Sequence, residues 1–217
     1  MIDAAIFDMD GLLFDTERLC RDAWRDVSSA AGYKMEDSLF LSCVGRNDKD
    51  TRETVLAALG ESFPYDTFKE RAGEWMMRSM RDDGPPEKPG VRELLGFLRD
   101  RGVRVALATS TSERHARWMI ARAGLSSFFQ ACAFGSEVER GKPAPDIFLL
   151  AMRRLSLSNP DRIVVFEDSA AGIEAAAAAG MKPVFVPDMV VPSEALLSKV
   201  WKRIPRLDDA AHEDFYA

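Results

Sequence analysis

Four short apolar runs constrain the fold of this chain more than any other feature: Ala4 to Phe7, Val103 to Ala108, Ile163 to Phe166 and Pro183 to Val186. Each is too short for an independent helix and most are rich in Val, Ile or Phe, so they read as buried strands. Between the later runs lie helical patterns: Val91 to Arg101 with Leu94, Leu95 and Leu98 facing inward, then Ser112 to Ala123, Pro145 to Leu155 and Ser169 to Ala179. Strand and helix alternate. The alternation predicts an α/β fold with a Rossmann-like, mostly parallel sheet covered on both faces. The alanine run Ala175 to Ala179 reads as a closely packed helix, given alanine's helix propensity.

The stretch from about Thr16 to Asp83 breaks the alternation. Leu19 to Ala31, Asp48 to Leu59 and Asp66 to Arg81 all carry helix-like spacing with no clear strand between them. Gly84-Pro85-Pro86-Glu87-Lys88-Pro89-Gly90 cannot continue a helix and suits a hinge. The expected organisation is a core of residues 1–15 and 85–217 with an all-helical cap, residues 16–84, inserted after the first strand. A length of 217 residues is enough for one substantial core plus such a unit.

Composition narrows the function classes. A net charge of −6 opposes a nucleic-acid role, because gripping a phosphate backbone needs a basic surface. No stretch approaches the roughly 18 apolar residues that span a bilayer, and the N-terminus has no basic region ahead of an apolar one, so neither a membrane nor a signal peptide is expected. Cys20, Cys43 and Cys132 are odd in number and lack CxxC spacing, which suggests neither a disulfide framework nor a zinc site. A cytoplasmic protein is expected, and nothing in the composition demands a partner, so a monomer or weak homo-oligomer is the default.

The chemistry concentrates at predicted strand ends. Asp8-Met9-Asp10-Gly11 leaves the first strand at the edge where open α/β sheets bind ligands. In isolation the pattern is equally a solvated turn. Two such carboxylates repel unless a cation neutralises them or one holds a proton. Thr109-Ser110-Thr111 follows the second run; its hydroxyls and N–H groups could bind phosphate oxygens or simply cap the next helix. Gly141-Lys142-Pro143-Ala144-Pro145-Asp146 is not a P-loop, since proline follows the lysine, but glycine and prolines fix the direction of a side chain that is otherwise a surface charge. Ile163 to Phe166 delivers Glu167-Asp168-Ser169, adjacent acids at a strand end that suit a hard divalent cation; Mg2+ commonly takes one or two carboxylates, here Asp8 and Asp168.

In order and spacing, Asp8-x-Asp10-Gly11, Thr109, Lys142 and Glu167-Asp168 resemble the four motifs of the haloacid dehalogenase-like hydrolase superfamily, and the likeness extends over nearly the whole chain. The wording Asp15-Thr16-Glu17, Gly141-Lys142-Pro143-x-Pro145-Asp146 and Glu167-Asp168-Ser169-x-x-Gly172 is similar to the β-phosphoglucomutase and phosphoglycolate phosphatase-like branch, which carries a four-helix-type cap. The resemblance implies a Mg2+-dependent phosphatase acting on a small phosphorylated metabolite such as a sugar phosphate. It implies Asp8 as nucleophile and Asp10 as general acid/base. It further implies Mg2+ held by Asp8, the Asp10 carbonyl and Asp168, with Glu167 direct or through water, and Thr109, Ser110 and Lys142 on the phosphoryl oxygens. Arg46, in Gly45-Arg46-Asn47, matches an arginine that faces the substrate in this branch, though it is equally a surface arginine at a helix end.

Sibling activities separate by residue. Dehalogenases have no use for the Asp10 acid/base, and phosphonatases replace it with alanine. Mutases of the β-phosphoglucomutase type carry a histidine where this chain has Cys20, whose thiol cannot supply the same hydrogen bond, so hydrolysis is favoured over phosphosugar mutation. A non-catalytic phosphometabolite sensor is the remaining alternative. A phospho-accepting receiver module is opposed by the motif order and by the helical insert. His115 and His212 read as structural or surface residues.

Overall fold

The computed structural model describes residues 2–45 and 48–212. The chain divides into two compact units, one built from the segments ending at Phe14 and resuming at Glu87, the other from Asp15–Pro86.

The first unit begins with β1 (Ala4–Phe7). The second supplies α1 (Thr16–Ala30), α2 (Asp37–Cys43), α3 (Asp48–Leu59) and α4 (Tyr65–Asp83). After Glu87 the order is α5 (Val91–Asp100), β2 (Arg104–Thr109), α6 (Glu113–Arg122), β3 (Ala131–Phe134), α7 (Asp146–Arg154), β4 (Ile163–Glu167), α8 (Ala170–Ala178), β5 (Lys182–Phe185), α9 (Glu194–Leu197) and β6 (Lys202–Arg203).

The six strands form one sheet in the order β3-β2-β1-β4-β5-β6, with every pair parallel. The sheet is Rossmann-like: β1 is central, and the strand order reverses between β1 and β4, which opens a crevice at their C-terminal ends. Phe7 is level with Leu107 on one side and Phe166 on the other. The motif residues that follow these positions therefore emerge side by side.

Both faces of the central strands are buried, which explains their near-continuous apolar sequence. On one face Ala4, Ile6, Ala106, Ala108, Ile163 and Val165 pack with Phe148 and Ala151 of α7 and with Ala175 and Ala176 of α8. Small side chains in α8 let the helix lie close against the strands. On the other face the Phe7 and Phe166 rings stack with centroids 4.8 Å apart. Helix α5 buries Val91, Leu94, Leu95 and Leu98, a single stripe at helical spacing.

The helical unit has its own core. Trp24 of α1 lies 5.6 Å from Tyr65 of α4, centroid to centroid, and Tyr33 packs edge-on against Phe63 and Phe68. It also borders a partly open cavity of about 380 Å³ whose walls include Cys20, Trp24, Phe40, Cys43 and Tyr65, with Lys69 among its polar lining.

Two strands and two helices, α2 and the four-residue α9, go beyond the sequence expectation. Strand β3 reads Ala-Cys-Ala-Phe and has no β-branched residue. Strand β6 has only two residues, both cationic, and both strands lie at sheet edges, where short and polar segments are tolerated. Helix α2 buries only Phe40, so it leaves little periodic signal. Strands β2 and β5 are each displaced by one residue from the apolar runs that announce them.

Candidate active site

The C-terminal edge of the sheet gathers the charged motifs. The Asp8 N–H donates to Phe166 O at 3.1 Å, which carries β1–β4 pairing one residue past the strand and fixes where the Asp8 side chain starts. The chain then turns sharply: Gly11 N donates to Phe14 O at 2.8 Å and Leu13 N to Met9 O at 2.9 Å. Gly11 has φ of +81°, and a Cβ there would lie 2.2 Å from Asp168 Oδ2. Glycine is needed twice over, for the left-handed backbone and for the close approach of a carboxylate.

Lys142 is the electrostatic centre. Its ammonium donates to Asp8 Oδ1, to Glu167 Oε1 at 2.6 Å and to Ala108 O at 3.2 Å. Its side chain is only 7% exposed, and Glu167 is fully buried. The other Glu167 oxygen accepts from Ser169 N at 3.2 Å and from Ser169 Oγ at 2.9 Å. Ser169 Oγ also caps α8 by accepting from Gly172 N at 3.0 Å. A Cβ on Gly172 would stand 1.8 Å from the Glu167 carboxyl carbon, so the helix start is shaped around that carboxylate.

Asp8, Glu167 and Asp168 each present an oxygen within 4.8 Å of the others. Three carboxylates facing one ammonium leave excess negative charge. Burial, with the neighbouring carboxylates adding to it and Lys142 opposing, pushes the Asp8 carboxyl up to about 7. Burial first, then the charges of Glu167 and Asp8, raise the Asp168 carboxyl well above its ordinary value. Burial alone would lower the Lys142 ammonium, but Asp8 and Glu167 outweigh it and raise it. Asp168 Oδ1 is buried and has no hydrogen-bond partner among the described residues. An all-oxygen donor set, surplus negative charge and an unsatisfied buried oxygen fit a hard divalent cation.

Asp10, whose charge also bears on Asp8, sits in a hydroxyl network. Its Oδ2 accepts from Thr111 Oγ1 at 2.6 Å and from Thr109 Oγ1 at 3.5 Å. Thr109 Oγ1 in turn accepts from Thr111 N at 3.0 Å. Thr109 is buried and Ser110 exposed at the end of β2; Ser112, not Thr109, flanks the start of α6.

The structure thus brings Asp8, Lys142, Glu167 and Asp168 into one cluster and joins Asp10 to Thr109. Arg46 lies outside the described residues. His115 is exposed and within 3.4 Å of Ser112 Oγ. Thr111 and Ser169 are additions that the sequence signalled only as hydroxyls beside the motifs. The three cysteines are free, and no helix among the described residues is long and apolar enough to cross a membrane.

Comparison with known proteins agrees with the geometry. The family model described as haloacid dehalogenase-like hydrolase matches residues 2–180. A phosphorylated carbohydrates phosphatase of Thermotoga maritima is 38% identical over 184 residues, 85% of this chain and 84% of that protein. A fructose-1-phosphate phosphatase of Escherichia coli is 32% identical over 182 residues, 83% of this chain and 94% of that protein. A solved T. maritima structure, provisionally assigned as a β-phosphoglucomutase, superposes with a TM-score of 0.81 at 34% identity over 97% of both chains. The chain belongs to the haloacid dehalogenase-like hydrolase family.

Proposed function

We propose that this protein is a Mg2+-dependent phosphatase of small phosphorylated carbohydrates that works through an aspartyl-phosphate. The observation that carries the reading is the convergence of Asp8 with Lys142 and two further carboxylates at the β1–β4 crevice. The phosphatases similar to this chain act on phosphorylated carbohydrates and fructose 1-phosphate, which suggests the substrate class.

A carboxylate oxygen of Asp8 attacks phosphorus, and the bond from phosphorus to the ester oxygen breaks. Asp10 gives its proton to the departing alcohol. A water then attacks the phosphorus of the aspartyl-phosphate, Asp10 takes the water's proton, and the bond to Asp8 breaks to release inorganic phosphate. Lys142 and Thr109, helped by the Ser110 amide, hold the phosphoryl oxygens. Asp8, Asp168, the Asp10 carbonyl and Glu167 would hold Mg2+, which when bound offsets the negative charge gathered around phosphorus. The hydroxyls of Thr111 and Thr109 keep Asp10 in one orientation. The helical unit serves as the cap that selects substrate, with Arg46 as an anion-binding side chain. We further place the protein in the cytoplasm, as a monomer or weak homo-oligomer.

Phosphate release from a panel of sugar phosphates, with Mg2+ and with a chelator, tests the reading. Release should require Mg2+, and Asp8→Asn should fold yet lose turnover by several orders of magnitude. A variant that keeps turning over p-nitrophenyl phosphate near the parent rate sinks the nucleophile assignment.

A further inference from the structure

Lys88 and Asp188 form a buried ion pair that the proposed chemistry does not use. They stand 100 positions apart in sequence, yet Lys88 Nζ donates to Asp188 Oδ1 at 2.6 Å. Their side chains are only 14% and 2% exposed. Burying two charges costs enough desolvation that apolar replacements are often as stable, so such a pair adds little net stability.

Its surroundings give it another role. Asp188 follows β5, whose neighbour Val186 donates its N–H to Glu167 O at 2.9 Å, so the loop continues along the edge where the acidic trio sits. A Cβ on Gly11 would lie 2.2 Å from Asp168 Oδ2 and 3.2 Å from Asp188 Oδ2. The two carboxylates therefore meet over the bare face of that glycine. At its other end the pair is anchored to the turn after β1. Lys88 N donates to Leu13 O at 2.9 Å, beside the bridge between Phe14 and Glu87. One ion pair thus ties together the turn after β1, the segment where the chain re-enters this unit and the loop after β5, with Asp168 against its anionic end. The carboxylates of Asp8, Asp10, Glu167, Asp168 and Asp188 outnumber the ammonium groups of Lys142 and Lys88, an excess of negative charge that suits a divalent cation.

We propose that Asp188, clamped by Lys88, is a positioning residue for the divalent cation: it fixes a further carboxylate beside Asp168 at the Gly11 turn and adds negative charge beyond the ligands themselves. This rests on the reading of Asp8, Glu167 and Asp168 as a Mg2+ site. Partners of this kind typically change metal affinity by about 10–100-fold when removed.

The test is Mg2+ affinity of the full chain without substrate, read from the rise in Tm on titration. Asp188→Asn, nearly the same shape, should weaken Mg2+ by about 10–100-fold. The double variant Lys88→Met with Asp188→Leu replaces the pair by apolar groups of similar volume; it should keep the metal-free Tm close to the parent's and still bind Mg2+ weakly. Asp168→Asn is the control for the site itself. If the parent gains no stability from Mg2+, or Asp168→Asn binds as the parent does, the metal reading fails and takes this inference with it. If those controls hold but Asp188→Asn or the double variant binds Mg2+ as tightly as the parent, the positioning role alone is overturned.

Discussion

At the scale of single residues the site is governed by close approach. Asp168 can stand where it does only because Gly11 has no side chain. Adding one methyl would place it 2.2 Å from Asp168 Oδ2, and φ of +81° would strain any replacement. Gly11→Ala should therefore cost about 1–3 kcal/mol of stability from backbone strain and displacement, and should weaken Mg2+ binding and kcat together. Gly32 is the matched comparison: its φ is +80° but nothing lies within 4 Å of a Cβ there. Gly32→Ala should show strain alone, a lower Tm with unchanged activity. Denaturation and steady-state kinetics on both variants separate strain from displacement of the carboxylate.

At the scale of elements, the junction from β4 to α8 does two tasks with one hydroxyl. Ser169 caps α8 through Gly172 N and donates to Glu167 Oε2. Ser169→Ala removes both and leaves a buried carboxylate oxygen with one donor fewer. A loss of about 1–3 kcal/mol is expected from the cap and the hydrogen bond together, measurable by chemical denaturation. Ser169→Asp should not rescue it. Aspartate caps helices well, but here it sets a second anion against Glu167. The dual duty also explains the Glu-Asp-Ser-x-x-Gly wording: the strand ends on the acid, the serine turns the chain, and Gly172 leaves room for the acid, whose carboxyl carbon would lie 1.8 Å from a Cβ there.

At the scale of the whole molecule, the metal-free protein should lose stability as pH rises. Asp8 is raised from its ordinary 3.8 to about 7, and Asp168 is raised as well, so the folded state holds protons that the unfolded chain releases. The stabilising contribution is complete below the unfolded value and is lost as pH climbs through the folded one. Tm without metal should fall between about pH 4 and pH 8. Mg2+ should flatten the upper part of that fall, because the cation takes over the neutralising role of the protons. A Tm–pH curve indifferent to Mg2+ would contradict this. Much of the molecule was legible in the sequence: β1, β2, β4 and β5 announce themselves because strands buried on both faces are continuously apolar. The motif acids and Lys142 are legible because each follows such a strand or a rigid loop. Strands β3 and β6 and helices α2 and α9 were not, since a small-residue strand, a two-residue edge, a helix with one buried side chain and a helix of four residues carry almost no periodic signal. What only the tertiary structure decided is which groups meet: Thr111 on Asp10, Asp188 against Asp168, and Lys88 holding Asp188 across 100 residues. Sequence periodicity reports which face of an element is buried, whereas a contact between side chains on different loops is fixed only when sheet order and register bring those loops to the same edge.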